Sequence, residues 1–430
     1  MALVVLLRDS TVGHLSTDRE GHAHFAYDEA WRQRDDAIPL SLSLPLASRE
    51  HAWRTVEAVI WGLLPDNERV LQSWGRQFHV SPRNAVALLS HVGEDCAGAV
   101  QFIPTARLDA VLEGRQDGIH WLTESELAER LRLLRDDAGA MRRSTDQGQF
   151  SLPGAQPKMA LLGQDGQWGI PSGRIPTTHI LKPPTGAYLG YAQNEHFCLQ
   201  LATAVGFRTC RSSILRAEDE LAICVERYDR NFVGGRWQRL HQEDMCQALG
   251  VRPEAKYQNE GGPSPQDIDH LLRNYSVEQD EDRLAFFSAL VFNWLIGGSD
   301  AHAKNYSLLL GAQQTARLAP LYDISSSLPY PTINRRKMKL AMKIGSAYRW
   351  HDIRLADWIN QADLMGVDEE ECRAILEGVA EGLPDLASQV AQAVAQDDMH
   401  HPVVDRMVDE IAASSATCAK MLIGAALSQT

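Results

Sequence analysis

Several features that would fix a class outright are missing from this sequence. Its seven cysteines (Cys96, Cys198, Cys210, Cys224, Cys246, Cys372 and Cys418) form no C-x-x-C pair. That spacing argues against a zinc ribbon or a disulfide frame and reads as reduced, buried thiols. No uninterrupted apolar run reaches the roughly 20 residues of a membrane span. The opening Met1-Ala2-Leu3-Val4-Val5-Leu6-Leu7-Arg8 is too short and wrongly flanked for a signal peptide, and reads as a first strand. A cytoplasmic protein is expected. Positive charge is also scarce: the net charge of -14 argues against a generic nucleic-acid binder. A local basic patch, or DNA reached through a partner, stays possible. Neither a Walker G-x-x-x-x-G-K-[ST] nor a kinase-type G-x-G-x-x-G occurs, and there is no internal repeat or low-complexity tract.

What is present is enough for two to three domains: 430 residues, 44% of them hydrophobic. Residues 1–104 mix strand-like runs with a helix-like stretch from Asn84 to His91, punctuated by the turns Leu64-Pro65-Asp66-Asn67 and Val92-Gly93-Glu94-Asp95-Cys96-Ala97-Gly98. Residues 105–149 read as a charged connector with one helix, Glu124 to Leu134, capped by Thr123. Residues 150–235 return to α/β character, with strands at Met159–Leu162, Thr178–Lys182 and Ala222–Glu226 and a helix from Gln193 to Val205. From 236 to 430 the pattern turns helical. Its strongest element, Arg283 to Ile296, is apolar on most of its surface and stops at Gly297-Gly298. The expected fold class is therefore α+β, a mixed N-lobe followed by an all-helical C-lobe.

That buried helix delivers the chain into Asp300-Ala301-His302-Ala303-Lys304-Asn305, and Asp323 follows in Leu321-Tyr322-Asp323. An acid, an amide five residues on and a second acid on a separate turn is the order phosphoryl transfer uses. The first acid accepts the hydroxyl proton; the amide and second acid hold Mg²⁺ on ATP. His302 reads as a positioning or ATP-contacting group rather than a zinc ligand. Ser151-Leu152-Pro153-Gly154-Ala155-Gln156-Pro157-Lys158 precedes a strand. Pro153 and Pro157 have no N–H, so a backbone anion cradle there falls to Gly154, Ala155 and Gln156, with Lys158 adding a point charge. Lys182 is placed to hold phosphates, with Glu195 as its orienting partner, and Glu226-Arg227-Tyr228 to meet adenine through its backbone. Taken singly, each has a plainer reading: turn-forming Asp and Asn, a Gly-Pro turn, a solvated strand-end lysine.

Together these residues resemble the HipA-type serine/threonine kinases, the toxin members of two-gene toxin–antitoxin modules. The resemblance runs through Leu63-Leu64-Pro65-Asp66-Asn67, Asp95-Cys96-Ala97-Gly98-Ala99-Val100-Gln101, Gly154-Ala155-Gln156-Pro157-Lys158 and Thr177-Thr178-His179-Ile180-Leu181-Lys182. It continues through Val225-Glu226-Arg227-Tyr228-Asp229-Arg230, Gln242-Glu243-Asp244-Met245-Cys246-Gln247, Lys256-Tyr257, Gly261-Gly262-Pro263, Asn293-Trp294-Leu295-Ile296-Gly297 and the two acid-bearing segments. It implies a two-lobed, protein-kinase-like fold, with Asp300 as catalytic base and Asn305 and Asp323 as Mg²⁺ ligands. It further implies ATP contacts from Pro153, Gly154, Ala155, Gln156, Pro157, Lys158, Lys182, Glu226, Arg227, Tyr228, His302, Ala303, Lys304, Asn305, Tyr322 and Asp323.

The same resemblance makes Ser151 an autophosphorylation site. A phosphate there adds nearly two negative charges beside a phosphate-holding loop, and repulsion should expel the loop. Pro157 departs from the family, where an acidic residue is familiar. The implied partners are a HipB-like helix-turn-helix antitoxin, operator DNA reached through that complex in transcriptional autorepression, and a translation-related protein substrate, notably an aminoacyl-tRNA synthetase, with growth arrest and persistence as the outcome. The alternatives are a catalytically silent co-repressor and a small-molecule phosphotransferase.

Overall fold

Leu3 to Leu7 are buried without alternation, as a strand covered on both faces requires. That strand lies inside an antiparallel sheet ordered Ala23–Tyr27, Ser10–Thr17, Ala2–Leu7, Val100–Pro104. Val4 faces His14 on one side and Ile103 on the other. Helices Trp53–Trp61, Glu68–Phe78 and Ala85–Val92 follow. Asn67 and Asn84 cap the last two by accepting from the N–H groups of Arg69 and Ala87. The computed structural model describes residues 2–137, 150–186, 188–396 and 400–427. It divides into two units: Met1–Thr185 with Leu215–Glu254 and Ser307–Ala316, and Gly186–Ile214 with Ala255–Tyr306 and Arg317–Thr430.

The first unit also carries a sheet ordered Gly118–Leu122, Gln167–Ser172, Met159–Gln164, His179–Lys182, Glu220–Glu226, Ser212–Ala217, the last strand counted in this unit from Leu215 onward. The stretch read as a connector supplies the edge strand Gly118–Leu122, paired antiparallel to Gln167–Ser172. Its side chains are half-buried or exposed, so the alternation that marks a strand is weak there. The helix after it runs Glu124–Asp136 and starts with a reciprocal capping box between Thr123 and Glu126. The rest of that stretch, 138–149, lies outside the described residues.

A buried ionic cluster ties the distant segments of this unit together. Asp95 accepts from Arg230 and Arg239 at 2.9 Å on one oxygen, and from the Thr177 hydroxyl at 2.6 Å on the other. Arg227 donates to Asp229 at 2.8 Å and to the Cys96 carbonyl at 2.8 Å. Burial alone would raise the Asp95 carboxyl, but the guanidiniums of Arg230, Arg239 and Arg227 hold it well below the usual carboxylate range.

The second unit is built on helices: Tyr191–Val205, Pro265–Tyr275, Gln279–Leu295, Leu355–Leu364, Glu369–Gln396 and Pro402–Leu427. Gln279–Leu295 buries Phe286, Phe287, Leu290, Val291, Phe292, Trp294 and Leu295 around most of its circumference. Acids Asp280, Glu281 and Asp282 occupy its first turn, where the helix dipole favours them. At its far end Gly297 has φ 66°, and a Cβ there would lie 2.5 Å from Leu328 Cγ. Glycine is required at that exit.

The stretch from 236 onward is not wholly helical. Strands Arg236–Arg239, Gln242–Asp244, Ser307–Leu310, Ala316–Leu318, Lys339–Ile344 and Ala347–Arg349 interrupt it. They are three to six residues long, too short for a period of two to stand out.

Candidate active site

In the second unit the chain leaves the Gln279–Leu295 helix and folds into a tight turn, locked from both ends. The Gly298 N–H donates to the Asn293 carbonyl at 2.7 Å, and the His302 N–H to the Asp300 carbonyl at 2.8 Å. Ala303–Asn305 form a 3-10 turn. The Asn305 amide nitrogen donates back to the Asp300 carbonyl at 2.9 Å. This fixes the amide so that its oxygen is the group left to face a cation. The Asp300 carboxylate is exposed and accepts the Tyr257 hydroxyl at 2.5 Å.

His302, between them, is buried, and its Nδ1 has no hydrogen-bond partner among the described residues. Burial drives its imidazole down to about 4, so it is neutral at physiological pH. A buried, neutral ring with an unmet nitrogen is suited to a polar ligand atom rather than to a charge. Among the described residues, the group of three acidic, histidine or cysteine side chains that could hold a metal ion is Asp18, Glu20 and His22, far along the sequence from this turn.

Asp323 sits on a second anchored turn of the same unit. Leu321 is fixed by its N–H to the Arg208 carbonyl at 2.8 Å and by its carbonyl to the Cys210 N–H at 2.9 Å. The Tyr322 hydroxyl donates to the Lys304 carbonyl at 2.7 Å, joining the two acid-bearing turns. Asp323 itself has φ 55°, a left-handed conformation that costs a non-glycine residue and tends to persist where function needs it. Three residues on, Ser326 is gripped by Asn194, which accepts its N–H and donates to its carbonyl, both at 2.8 Å. The Ser326 hydroxyl then donates to the Ile296 carbonyl at 2.6 Å. The amide oxygen of Asn305 and the carboxylate of Asp323 are the hard oxygen donors that Mg²⁺ prefers.

The first unit holds the phosphate-loop candidates. Residues 151–158 dock along Leu63 to Asn67. The Asp66 N–H donates to the Gly154 carbonyl at 3.2 Å, Asn67 Nδ2 to the Ala155 carbonyl at 3.2 Å, and the Ser151 N–H to the Asp95 carbonyl at 3.0 Å. The Ser151 hydroxyl is fully buried and donates to the Leu63 carbonyl at 2.7 Å. Lys158 Nζ donates to the Pro153 carbonyl at 2.7 Å and so braces the loop from within. Two of these anchors, from Asp66 and Asn67, use the loop's own carbonyls at Gly154 and Ala155, and Gly154 also forms a parallel bridge with Pro65. Gly154 has φ 106°, and a Cβ there would lie 2.4 Å from Lys158 Nζ.

Lys182 is buried at the end of His179–Lys182, an inner strand of the sheet, opposite Ile223. Glu195, on helix Tyr191–Val205 of the other unit, is fully buried. In the Glu226-Arg227-Tyr228 segment, Arg227 is held at both side chain and backbone. Its guanidinium belongs to the ionic cluster, its N–H donates to the Thr178 carbonyl at 2.9 Å, and its own carbonyl accepts from the Arg230 N–H at 3.2 Å. Tyr228 donates its hydroxyl to Gln242 at 2.7 Å. The structure adds residues to which the sequence reading gave no role. Tyr257 appeared there only as half of a Lys-Tyr pair, and Asn194 only as an interior helix position; no local pattern marks either.

Comparison with known proteins bears on both halves. Residues 3–103 match the HipA N-terminal domain and residues 150–387 the HipA-like C-terminal domain. The candidate kinase Y4mE of Sinorhizobium fredii is 36% identical over 397 residues, covering 90% of this chain and 89% of the relative. The serine/threonine-protein kinase toxin HipA of Shewanella oneidensis is 27% identical over 415 residues, 91% of this chain and 89% of its own length. A solved complex of HipA, HipB and operator DNA from the Shewanella oneidensis toxin–antitoxin system matches with a TM-score of 0.84 at 25% identity, over 98% of each chain. The architecture is the two-lobed, kinase-like α+β fold. Among the described residues, no helix is long and apolar enough to cross a membrane.

Proposed function

The chain belongs to the HipA family of serine/threonine-protein kinase toxins, and on that premise we propose that it is an ATP- and Mg²⁺-dependent protein serine/threonine kinase. The observation that carries this reading is the clamped turn Asp300–Asn305. There a single carbonyl, that of Asp300, receives both the His302 N–H and the Asn305 amide, aligning acid and amide on one short arc. Asp300 takes the acceptor proton. Asn305 and Asp323 offer oxygen donors to Mg²⁺, which when bound neutralises phosphate charge. His302, Ala303, Lys304 and Tyr322 line the same part of this reading, and the Pro153–Lys158 loop supplies backbone N–H groups to the phosphates. Lys182 meets the phosphates as a point charge. The adenine contacts fall to the backbone of Glu226-Arg227-Tyr228, the Arg227 side chain being held in the ionic cluster.

Ser151 is the proposed autophosphorylation site. Repulsion is not the first reason a phosphate there would expel the loop. A wholly buried hydroxyl has no room for one, so modification requires the loop to leave its seat. By analogy with the Shewanella complex, a HipB-like antitoxin is the proposed partner and brings the chain to operator DNA as an autorepressor, the net charge of -14 leaving most phosphate contacts to the antitoxin. The protein target is proposed to be translation-related, an aminoacyl-tRNA synthetase being the family's precedent.

Incubation of phosphatase-treated, antitoxin-free protein with labelled ATP and Mg²⁺ tests this reading. Wild type should incorporate phosphate at Ser151, and Asp323→Ala should not. Wild type that incorporates none, with growth arrest unchanged by Asp323→Ala, would point instead to the silent co-repressor.

A further inference from the structure

Asp300 has a firmly held backbone and an exposed carboxylate. Its carbonyl takes two hydrogen bonds, yet the rotation of a carboxylate about its last bond is broad and roughly two-fold. Something must choose which oxygen faces the acceptor, because proton acceptance during phosphoryl transfer depends on alignment within a fraction of an ångström. Tyr257 is built to do so. Its carbonyl accepts from the N–H groups of Glu260 at 2.9 Å and Gly262 at 3.0 Å, closing a compact turn beneath it. A Cβ at Gly262 would lie 2.1 Å from the Ala255 carbonyl oxygen, so only glycine lets that turn close. The neighbouring Gln258 accepts the Lys343 N–H at 2.8 Å, fastening the turn to strand Lys339–Ile344. The ring itself meets His302 edge to face, with centroids 5.1 Å apart and planes at 81°, and Lys256 Nζ lies 5.6 Å from its centre. Backbone, ring face and ring edge are all restrained, which leaves the hydroxyl aimed at Asp300 Oδ1.

We propose that Tyr257 is a positioning residue for the phosphotransfer step: by donating to Asp300 Oδ1 it fixes the carboxylate so that Oδ2 receives the acceptor hydroxyl. The proposal rests on the kinase reading above. In that step the acceptor oxygen bonds to the γ-phosphorus, the bond to ADP breaks, and the acceptor proton passes to Oδ2. Tyr257 keeps its own proton throughout. A tyrosine that merely occupied the acceptor position as a plug would predict the opposite effect of its removal, so the direction of change decides between them.

The test is Tyr257→Phe in the full chain, which deletes one oxygen and keeps the ring against His302. The acceptor is a synthetic peptide carrying Gln149-Phe150-Ser151-Leu152-Pro153, with labelled Mg·ATP as donor. The expected result is a fall in kcat of about tenfold, with peptide KM, Mg·ATP affinity and melting temperature close to wild type. In Asp300→Asn, adding Tyr257→Phe should cost nothing further, because the tyrosine acts only through that carboxylate. An active wild type matched or exceeded by Tyr257→Phe overturns the proposal alone, as does a loss that adds in full to that of Asp300→Asn. Wild type that phosphorylates neither itself nor the peptide overturns the kinase reading and this proposal with it.

Discussion

Ser151→Asp sets two energies against each other at one residue. Ser151 is wholly buried, and its hydroxyl donates to the Leu63 carbonyl at 2.7 Å. An aspartate there loses that bond and places a carboxylate against a carbonyl oxygen, away from water. The penalty for burying an uncompensated ion is several kcal/mol even after relaxation. Three other hydrogen bonds hold the loop in its seat: Ser151 N–H to Asp95, Asp66 N–H to Gly154, and Asn67 to Ala155. At about 1 kcal/mol net each, together they give about 3 kcal/mol, less than the penalty. The loop should therefore leave while the rest of the unit stays folded. Hydrogen exchange read by mass spectrometry should show lost protection at Ser151 and Asp66, with the Leu3–Leu7 strand unaffected and Mg·ATP affinity reduced at least tenfold. Ser151→Ala should stay seated, at a cost of about 1–3 kcal/mol for the carbonyl it leaves unmet. If Ser151→Asp retains full protection at both amides, or Ser151→Ala opens as far, the balance drawn here is wrong.

Asp95→Asn removes the charge shared by Arg230, Arg239 and Arg227 and should destabilise the first unit by about 3–5 kcal/mol, the cost of breaking a buried ion pair; a loss under about 1 kcal/mol by urea denaturation would show that the cluster relaxes or hydrates. Glu243, buried and pushed up to about 8 by desolvation, accepts the Leu42 N–H at 2.8 Å. Because its folded pKa exceeds the unfolded value, its contribution is fully present below about 4.5 and is lost as pH rises through about 8. Glu243→Gln should accordingly remove a decline of a few kcal/mol between those limits, so a wild-type melting temperature that is flat from pH 5 to 9 would refute the assignment. His241 acts at the other end: buried and driven down to about 4 by desolvation, it should make stability fall as pH drops from about 6.5 toward 4, and calorimetry of His241→Gln should show a shallower acid limb.

The acids were legible because their chemistry demands a short local spacing. Asp300, His302 and Asn305 fall within six consecutive residues, and the apolar helix before them announces itself by burial on nearly every side. The Ser151–Lys158 loop was legible for a similar reason: two prolines leave few N–H groups to hold an anion. What stayed hidden depends on long-range partners. Asp95 looked like one residue of a glycine-bearing turn, and its role as a counter-ion appears only when Arg227, Arg230 and Arg239 arrive from more than 130 residues away. The place of the Arg227 guanidinium in that cluster was hidden for the same reason. The edge strand Gly118–Leu122 and the short strands after 236 were missed because half-exposed or three-residue strands carry too little alternation to compete with the helical pattern around them. Helix Tyr191–Val205 was found, but its membership of the second unit is a property of packing, not of order along the chain.

The grip of Asn194 on Ser326 has a consequence for heredity as well as for geometry. One side-chain amide stands in for a neighbouring strand, satisfying both backbone groups of a residue 132 positions away. The serine then passes the restraint to the end of another helix through its hydroxyl. The bonds to Asn194 use the backbone of position 326, so any residue but proline can make them there, whereas the bond to Ile296 needs a hydroxyl. Drift at the two ends should therefore be unequal. Position 194 should tolerate almost nothing but asparagine, while position 326 should accept threonine wherever its extra methyl fits. A saturation library scored for growth arrest would display that asymmetry directly, marking the seat of Asp323 by a pair of residues that never touch the reacting atoms.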